Sequence, residues 1–209
     1  GEEYALLGSP EWVEDRLTSL QANAVAYVTL DSAVPGPDLD VGGVPSLRDL
    51  VLEAAADLPE PRRGGTLLDA WRARKQGEWA RTEPALPETA DRRFELHLNP
   101  LGSGSDFTAF LDHAGIASLD FSFEGGYGVY HSIYDSFFWM EKFGDPGFQY
   151  HAVAARFYGL LAMRLAAADV VPLRYAPYGR ALERELELRR REVIRERRVW
   201  EAARARPDG

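Results

Sequence analysis

Apolar positions along the chain fall into two rhythms, one near 3.6 residues and one of short unbroken runs. The helical rhythm predicts a helix over residues 10–23, with Trp12, Val13, Leu17 and Leu20 on one stripe. Pro10 sits in its first turn, and Glu11, Glu14 and Asp15 lie near its positive end. It predicts a second helix over 46–58 capped by Ser46, and a third over 66–76 with Leu67, Leu68 and Trp71 on one face. A long one over 148–168 carries Val153, Phe157, Leu160 and Leu161 toward the core. A last one over 177–205 carries Leu182, Leu186, Val193 and Trp200. The unbroken runs predict strands over 24–30 and 116–123, the first bounded by Asp31-Ser32. Between them, residues 102–106 read as a Gly/Ser turn opening a short helix over 106–113, capped by Ser105 and ended by Gly115. The polar stretch 77–99 and the aromatic, Gly-rich stretch 124–147 read as loops, and a loop as long as the second is usually functional.

Composition narrows the function. Of 209 residues, 45% are hydrophobic and 27% charged, an ordinary globular mix that excludes wholesale disorder. With 33 acidic and 24 basic residues the formal charge is −9, which argues against a nucleic-acid partner. Ten arginines and seven acids from Tyr178 onward give that end +3 and leave −12 on the rest, so the tail differs in composition from the body. No run of about 18 apolar residues is present, and no signal-peptide pattern opens the sequence. The absence of cysteine removes disulfides, thiolate metal sites and cysteine nucleophiles.

Four features can carry chemistry. Glu2-Glu3 is either a solvated pair or a metal-binding carboxylate beside a general base. Asp31, just past a strand, is either a turn former or a ligand at the end of the sheet where open α/β folds bind. His131 lies in the long loop with Asp135 four residues on, a carboxylate able to orient an imidazole; the alternative is a plain polar residue. Residues 102–106 offer backbone N–H groups at a helix start, a weak local pattern.

In order, the surroundings of these features are more specific. They are Glu2-Glu3-Tyr4-Ala5-Leu6-Leu7-Gly8-Ser9-Pro10-Glu11-Trp12, Ala26-Tyr27-Val28-Thr29-Leu30-Asp31 and Leu101-Gly102-Ser103-Gly104-Ser105-Asp106-Phe107. Tyr130-His131-Ser132-Ile133-Tyr134-Asp135 and Glu141-Lys142-Phe143-Gly144-Asp145-Pro146 follow. Together they resemble the glutamate carboxypeptidase II family (prostate-specific membrane antigen and relatives), co-catalytic zinc peptidases that share their fold with the transferrin receptor. The resemblance implies a three-layer αβα zinc-exopeptidase fold with a mixed sheet, partly present, and the site at the strand C-termini. It implies that Glu2 is the general base, that Glu3 and His131 hold one of two zinc ions, and that Asp31 holds the other. It also implies that Tyr130 steadies the tetrahedral intermediate and that Ser103, Gly104 and Ser105 line the substrate cleft. Carboxylates and neutral imidazoles suit zinc.

The departures from the pattern matter as much. A further histidine and a bridging aspartate come, in the family, from upstream of the Glu-Glu pair, so the chain is expected to be a C-terminal part of the catalytic domain. Residues 1–172 would be that part, and 173–209 the start of a helical dimerisation domain. On this basis the stripe from Leu182 to Trp200 would pair with another chain, in a homodimer, or move freely. The arginine patch of relatives that take acidic peptides is replaced by Ser118-Leu119-Asp120-Phe121-Ser122, which implies neutral or broad peptide specificity. The resemblance also suggests a secreted or membrane-anchored parent with its anchor N-terminal to this region, and little activity from these residues alone. The competing function is a receptor-like or scaffold member of the superfamily that binds a protein partner; such members lose the Glu-Glu pair and the histidine. A weaker third reading, a coiled-coil module, lacks enough sustained heptads.

Overall fold

The computed structural model describes residues 2–82 and 94–204. Helix α1 (Gly8–Asn23) buries Val13 and leaves Trp12 half exposed, its ring tilted on Phe110 at 5.9 Å. Strand β1 (Tyr27–Thr29) is shorter than the apolar run around it. The N–H of Ala24 still donates to the Leu20 carbonyl as the helix ends, and β1 has a strand on one side only among the described residues.

Strand β2 (Asp38–Gly43) was not expected from the sequence. Its segment DLDVGG carries just two apolar residues, Leu39 and Val41, and both are buried. Gly43 is there because Leu119 fills the space a Cβ would occupy, so the glycines that hide the strand are what let it pack. A 3₁₀ turn (Pro45–Leu47) then leads into helix α2 (Arg48–Ala56). Ser46 therefore does not cap a helix: it is buried inside the turn, and Leu47 precedes α2 without a side-chain cap. The Ser46 carbonyl instead accepts the Arg174 N–H at 2.9 Å.

Helix α3 (Leu67–Thr82) begins in a reciprocal cap: Thr66 Oγ1 accepts the Asp69 N–H and Asp69 Oδ2 accepts the Thr66 N–H. It runs past Gln76, so residues 77–82 are helix rather than loop. Residues 83–93 of that expected loop lie outside the described residues, and 94–98 belong to no helix or strand. Leu96 and Leu98 are buried there, and Asn99 bridges Gly42.

The helix expected over 106–113 is wound partly in π form over Ala109–His113, with Ala114 N–H donating to Ala109. Its start is held by the Ser105 carbonyl accepting the Thr108 N–H, not by a Ser105 side-chain cap. Strand β3 (Ser118–Glu124) follows. The long loop after it contains one turn of helix, α4 (Phe137–Trp139), and a π turn (Met140–Gly144). Helix α5 (Gln149–Ala166) and helix α6 (Ala176–Arg204) complete the chain; residue 205 lies outside the described residues.

The fold is mixed α/β. The sheet order is β1-β3-β2, with β1 parallel and β2 antiparallel to β3. One core cluster joins β2, β3, α2, α3 and α5 through Trp71, Phe121, Phe123, Tyr150, Phe157 and Leu161. A smaller one joins α1 to the π turn through Val13, Ala109, Ala114 and Ile116. Tyr27 packs on the second and Val28 on the first, and successive strand side chains point to opposite faces. Leu182, Leu186, Val193 and Trp200 of α6 are exposed. Among the described residues no helix is long and apolar enough to cross a membrane.

Candidate functional site

Because β1 and β3 are parallel, both finish at the same end of the sheet. Asp31 follows β1 there, and the loop carrying His131 follows β3. The two exits are pinned together. Gly36 N–H donates to the Phe123 carbonyl, Phe123 N–H to the Ala33 carbonyl, and Gly36 lies so close to Gly125 that neither could carry a Cβ.

Glu3 reaches the same end. His131 Nε2 lies 3.0 Å from Glu3 Oε1, and both side chains are more than half exposed. The Tyr130 ring stacks on the His131 imidazole at 3.9 Å and 19°. Glu2, half-buried, opens a tight turn whose Leu6 N–H donates to the Glu2 carbonyl at 2.8 Å. The backbone around these residues is unusual. Ala5, Leu6, Ser32 and His131 all have positive φ without being glycine; His131 is itself a candidate residue and Ser32 follows Asp31 directly. Each such conformation costs on the order of 1–3 kcal/mol and persists where surrounding contacts impose it, which is common at functional sites.

Asp31 is exposed, and its backbone amide lies close to the Asp120 carboxylate. Burial, reinforced by the Asp31 charge, pushes the Asp120 carboxyl up to about 6, and its Oδ1 has no hydrogen-bond partner. No three His, Asp or Glu side chains among the described residues converge on one point. Glu3 and His131 are thus brought together, and Asp31 shares their end of the sheet without joining a cluster. Ser103 Oγ lies 3.2 Å from Thr108 Oγ1, Ser105 is buried, and Gly102 and Gly104 occupy the left-handed region. No hydrogen bond or ion pair among the described residues links Ser103, Gly104 or Ser105 to Glu3 or His131.

Asp135 does not orient His131. It accepts the hydroxyl of Tyr127, whose pKa burial and this carboxylate push up to about 12. The imidazole nitrogen faces Glu3 instead because His131 sits in a turn, Ser132 N–H to Val129 carbonyl, that swings it away.

The sequence reading also missed a buried clasp at the far end of the loop. Asp145 is fully buried and accepts Arg62 Nη2 at 3.0 Å, the N–H groups of Tyr150 and His151 at 2.8 and 3.0 Å, and faces His151 Nδ1 at 2.9 Å. Glu60 accepts the Tyr150 hydroxyl at 2.5 Å and the backbone N–H groups of Arg62 and Arg63. Burial alone would raise the Glu60 carboxyl, yet these donors hold it below its ordinary value. The signal was present in Asp145-Pro146-Gly147, an acid and a turn just ahead of a helix.

No family model matches the chain. Among curated proteins it is 40% identical over 196 residues to a probable glutamate carboxypeptidase of Arthroderma benhamiae, covering 90% of this chain and 24% of that protein. It is 38% identical over 187 residues to the probable glutamate carboxypeptidase LAMP1 of Arabidopsis thaliana, covering 89% and 25%. The chain belongs to the glutamate carboxypeptidase family. Aminopeptidase NAALADL1 of Mus musculus is a more distant relative, 31% identical over 196 residues. This family member spans about a quarter of the length of the curated relatives it matches. Its candidate site offers one carboxylate and one imidazole facing each other, residue types that can hold a metal ion.

Proposed function

We propose that the protein is a zinc-dependent exopeptidase, of neutral or broad peptide specificity, and that these residues supply the C-terminal part of its catalytic domain. The observation that carries this reading is the meeting of Glu3 and His131, residues far apart in sequence, at the end of the parallel strands. Glu3 and His131 would hold one zinc ion and Asp31 a second, with further ligands from outside the residues seen here. Zinc bound there supplies Lewis acidity, polarising the scissile carbonyl and lowering the pKa of water. Glu2 takes the proton of the attacking water and returns it to the leaving nitrogen as the C–N bond breaks. The Tyr130 hydroxyl donates to the oxyanion that develops. Ser103, Gly104 and Ser105 line the approach of the peptide.

The same reading extends to the architecture. Residues 1–172 form part of a three-layer αβα domain and 173–209 begin a helical region, where the exposed stripe of α6 meets a second copy in a homodimer. The whole protein is secreted or membrane-anchored. Elemental analysis of the dialysed chain tests the centre of the reading. Dialysed against zinc chloride, the native chain carries more zinc than Glu3→Ala and His131→Ala; equal zinc in all three overturns the reading.

A further inference from the structure

The loop from Gly125 to Gly147 must hold Tyr130 and His131 still although both are mostly exposed, and His131 sits at φ 56, a conformation a non-glycine residue resists. Hydrogen bonds within the turn are modest: Ser132 N–H and Oγ both donate to the Val129 carbonyl, and Asp135 N–H donates to the Ser132 carbonyl. What closes the segment is a side-chain bond. The Tyr127 hydroxyl donates to the Asp135 carboxylate eight residues on, making a short ring with His131 at its midpoint. A hydrogen bond to an ionised carboxylate is among the stronger kinds.

Tyr127 also links that ring to the rest of the loop. Its own ring meets Trp139 edge-on at 5.2 Å and Tyr130 at 6.1 Å. Tyr130 in turn stacks on His131. Tyr127 is half-buried, whereas Tyr130 and His131 are exposed, so the contact runs from a supported ring to two unsupported ones.

We propose that Tyr127 and Asp135 are positioning residues that fix the Tyr130–His131 pair for the chemistry of the candidate site. This deepens the peptidase reading and rests on it for its functional meaning. Neither residue touches the reacting atoms: Asp135 is spent on Tyr127, and Tyr127 acts through Tyr130.

The test uses proton NMR of the full chain. It has four histidines, so its imidazole Cε1–H signals are few, and His131→Ala assigns the one of interest. Stacking on Tyr130 should displace the His131 signal upfield. In Tyr127→Phe and in Asp135→Asn that displacement should be lost, while the signals of His97, His113 and His151 stay in place. A second arm titrates zinc chloride alone, where His131-dependent uptake should weaken about 10-fold in both variants, the usual effect of losing an outer-shell partner. The proposal is overturned if the His131 signal is unmoved in both variants, or if all four signals shift together as a general loosening would cause. Should the native chain show no His131-dependent zinc uptake, the metal reading fails, and the NMR arm still decides whether the clamp exists.

Discussion

Two groups of carboxylates sit at opposite ends of one loop and are treated in opposite ways. At the far end, Glu60 and Asp145 are buried, and each is surrounded by donors: Tyr150, Arg62, Arg63, His151 and backbone N–H groups. At the near end, Glu3 and Asp31 are exposed, Glu3 faces one imidazole, and nearby backbone is held in the left-handed region. A buried carboxylate with all its donors in place stabilises and fixes geometry. An exposed, under-coordinated one leaves capacity for something else to bind. The difference separates what holds this chain together from what it presents.

The largest effect tests the first half of that contrast. Asp145→Ala removes the cap of α5 and the anchor of Arg62 at once, leaving two N–H groups without an acceptor. Urea unfolding should show a loss of about 3 kcal/mol; a loss under about 1 kcal/mol would mean the clasp is ornamental.

The second half predicts a change of the other sign. His131→Gly removes a strained φ, so the melting temperature should rise, by the equivalent of up to about 1 kcal/mol, as zinc uptake disappears. Destabilisation comparable to that of Asp145→Ala would show that the near end also holds the fold.

The smallest expected effect is a pH slope. Burial, with the Arg184 charge next, pushes His97 down to about 4 from an ordinary 6.5. Between those values the unfolded chain binds a proton that the folded chain does not, so stability contributed by His97 is lost as pH falls from about 6.5 to about 4. Asp120 works in the opposite direction. Its carboxyl is raised to about 6 from 3.8, so the folded chain holds the extra proton and stability falls as pH rises through that window. Urea midpoints across pH 4–6.5 should therefore lose part of their acid sensitivity in His97→Gln and become more acid-sensitive in Asp120→Asn. Parallel curves for native and both variants would refute the assignment.

Much of the fold was legible. The helices with a 3.6-residue stripe were found within a few residues of their ends, because their apolar faces are written locally: Val153, Phe157 and Leu161 are buried as their spacing requires. Where ends were misplaced, the cause was also local: Ser46 competes for a cap but is drawn into a buried 3₁₀ turn, and α3 has no breaker strong enough to stop it at Gln76. Strand β2 was invisible because Gly42 and Gly43 carry no hydrophobic signal, and their value lies in what packs on them. Of the candidate site, the residue types and their order were readable, and the partner of Asp135 was misassigned.

The sequence by itself determined the helical stripes, the acidic body with its arginine-rich end, and the string of motifs that places the chain in its family. Tertiary structure alone decided that β1 runs parallel to β3, which puts Asp31 and the His131 loop at one end of the sheet. It also decided that His131 faces Glu3 while Asp135 turns to Tyr127. The physical reason is range: a stripe or a cap is fixed by residues within a turn of one another, whereas a pairing across the sheet depends on the closure of long stretches of chain that no local pattern encodes.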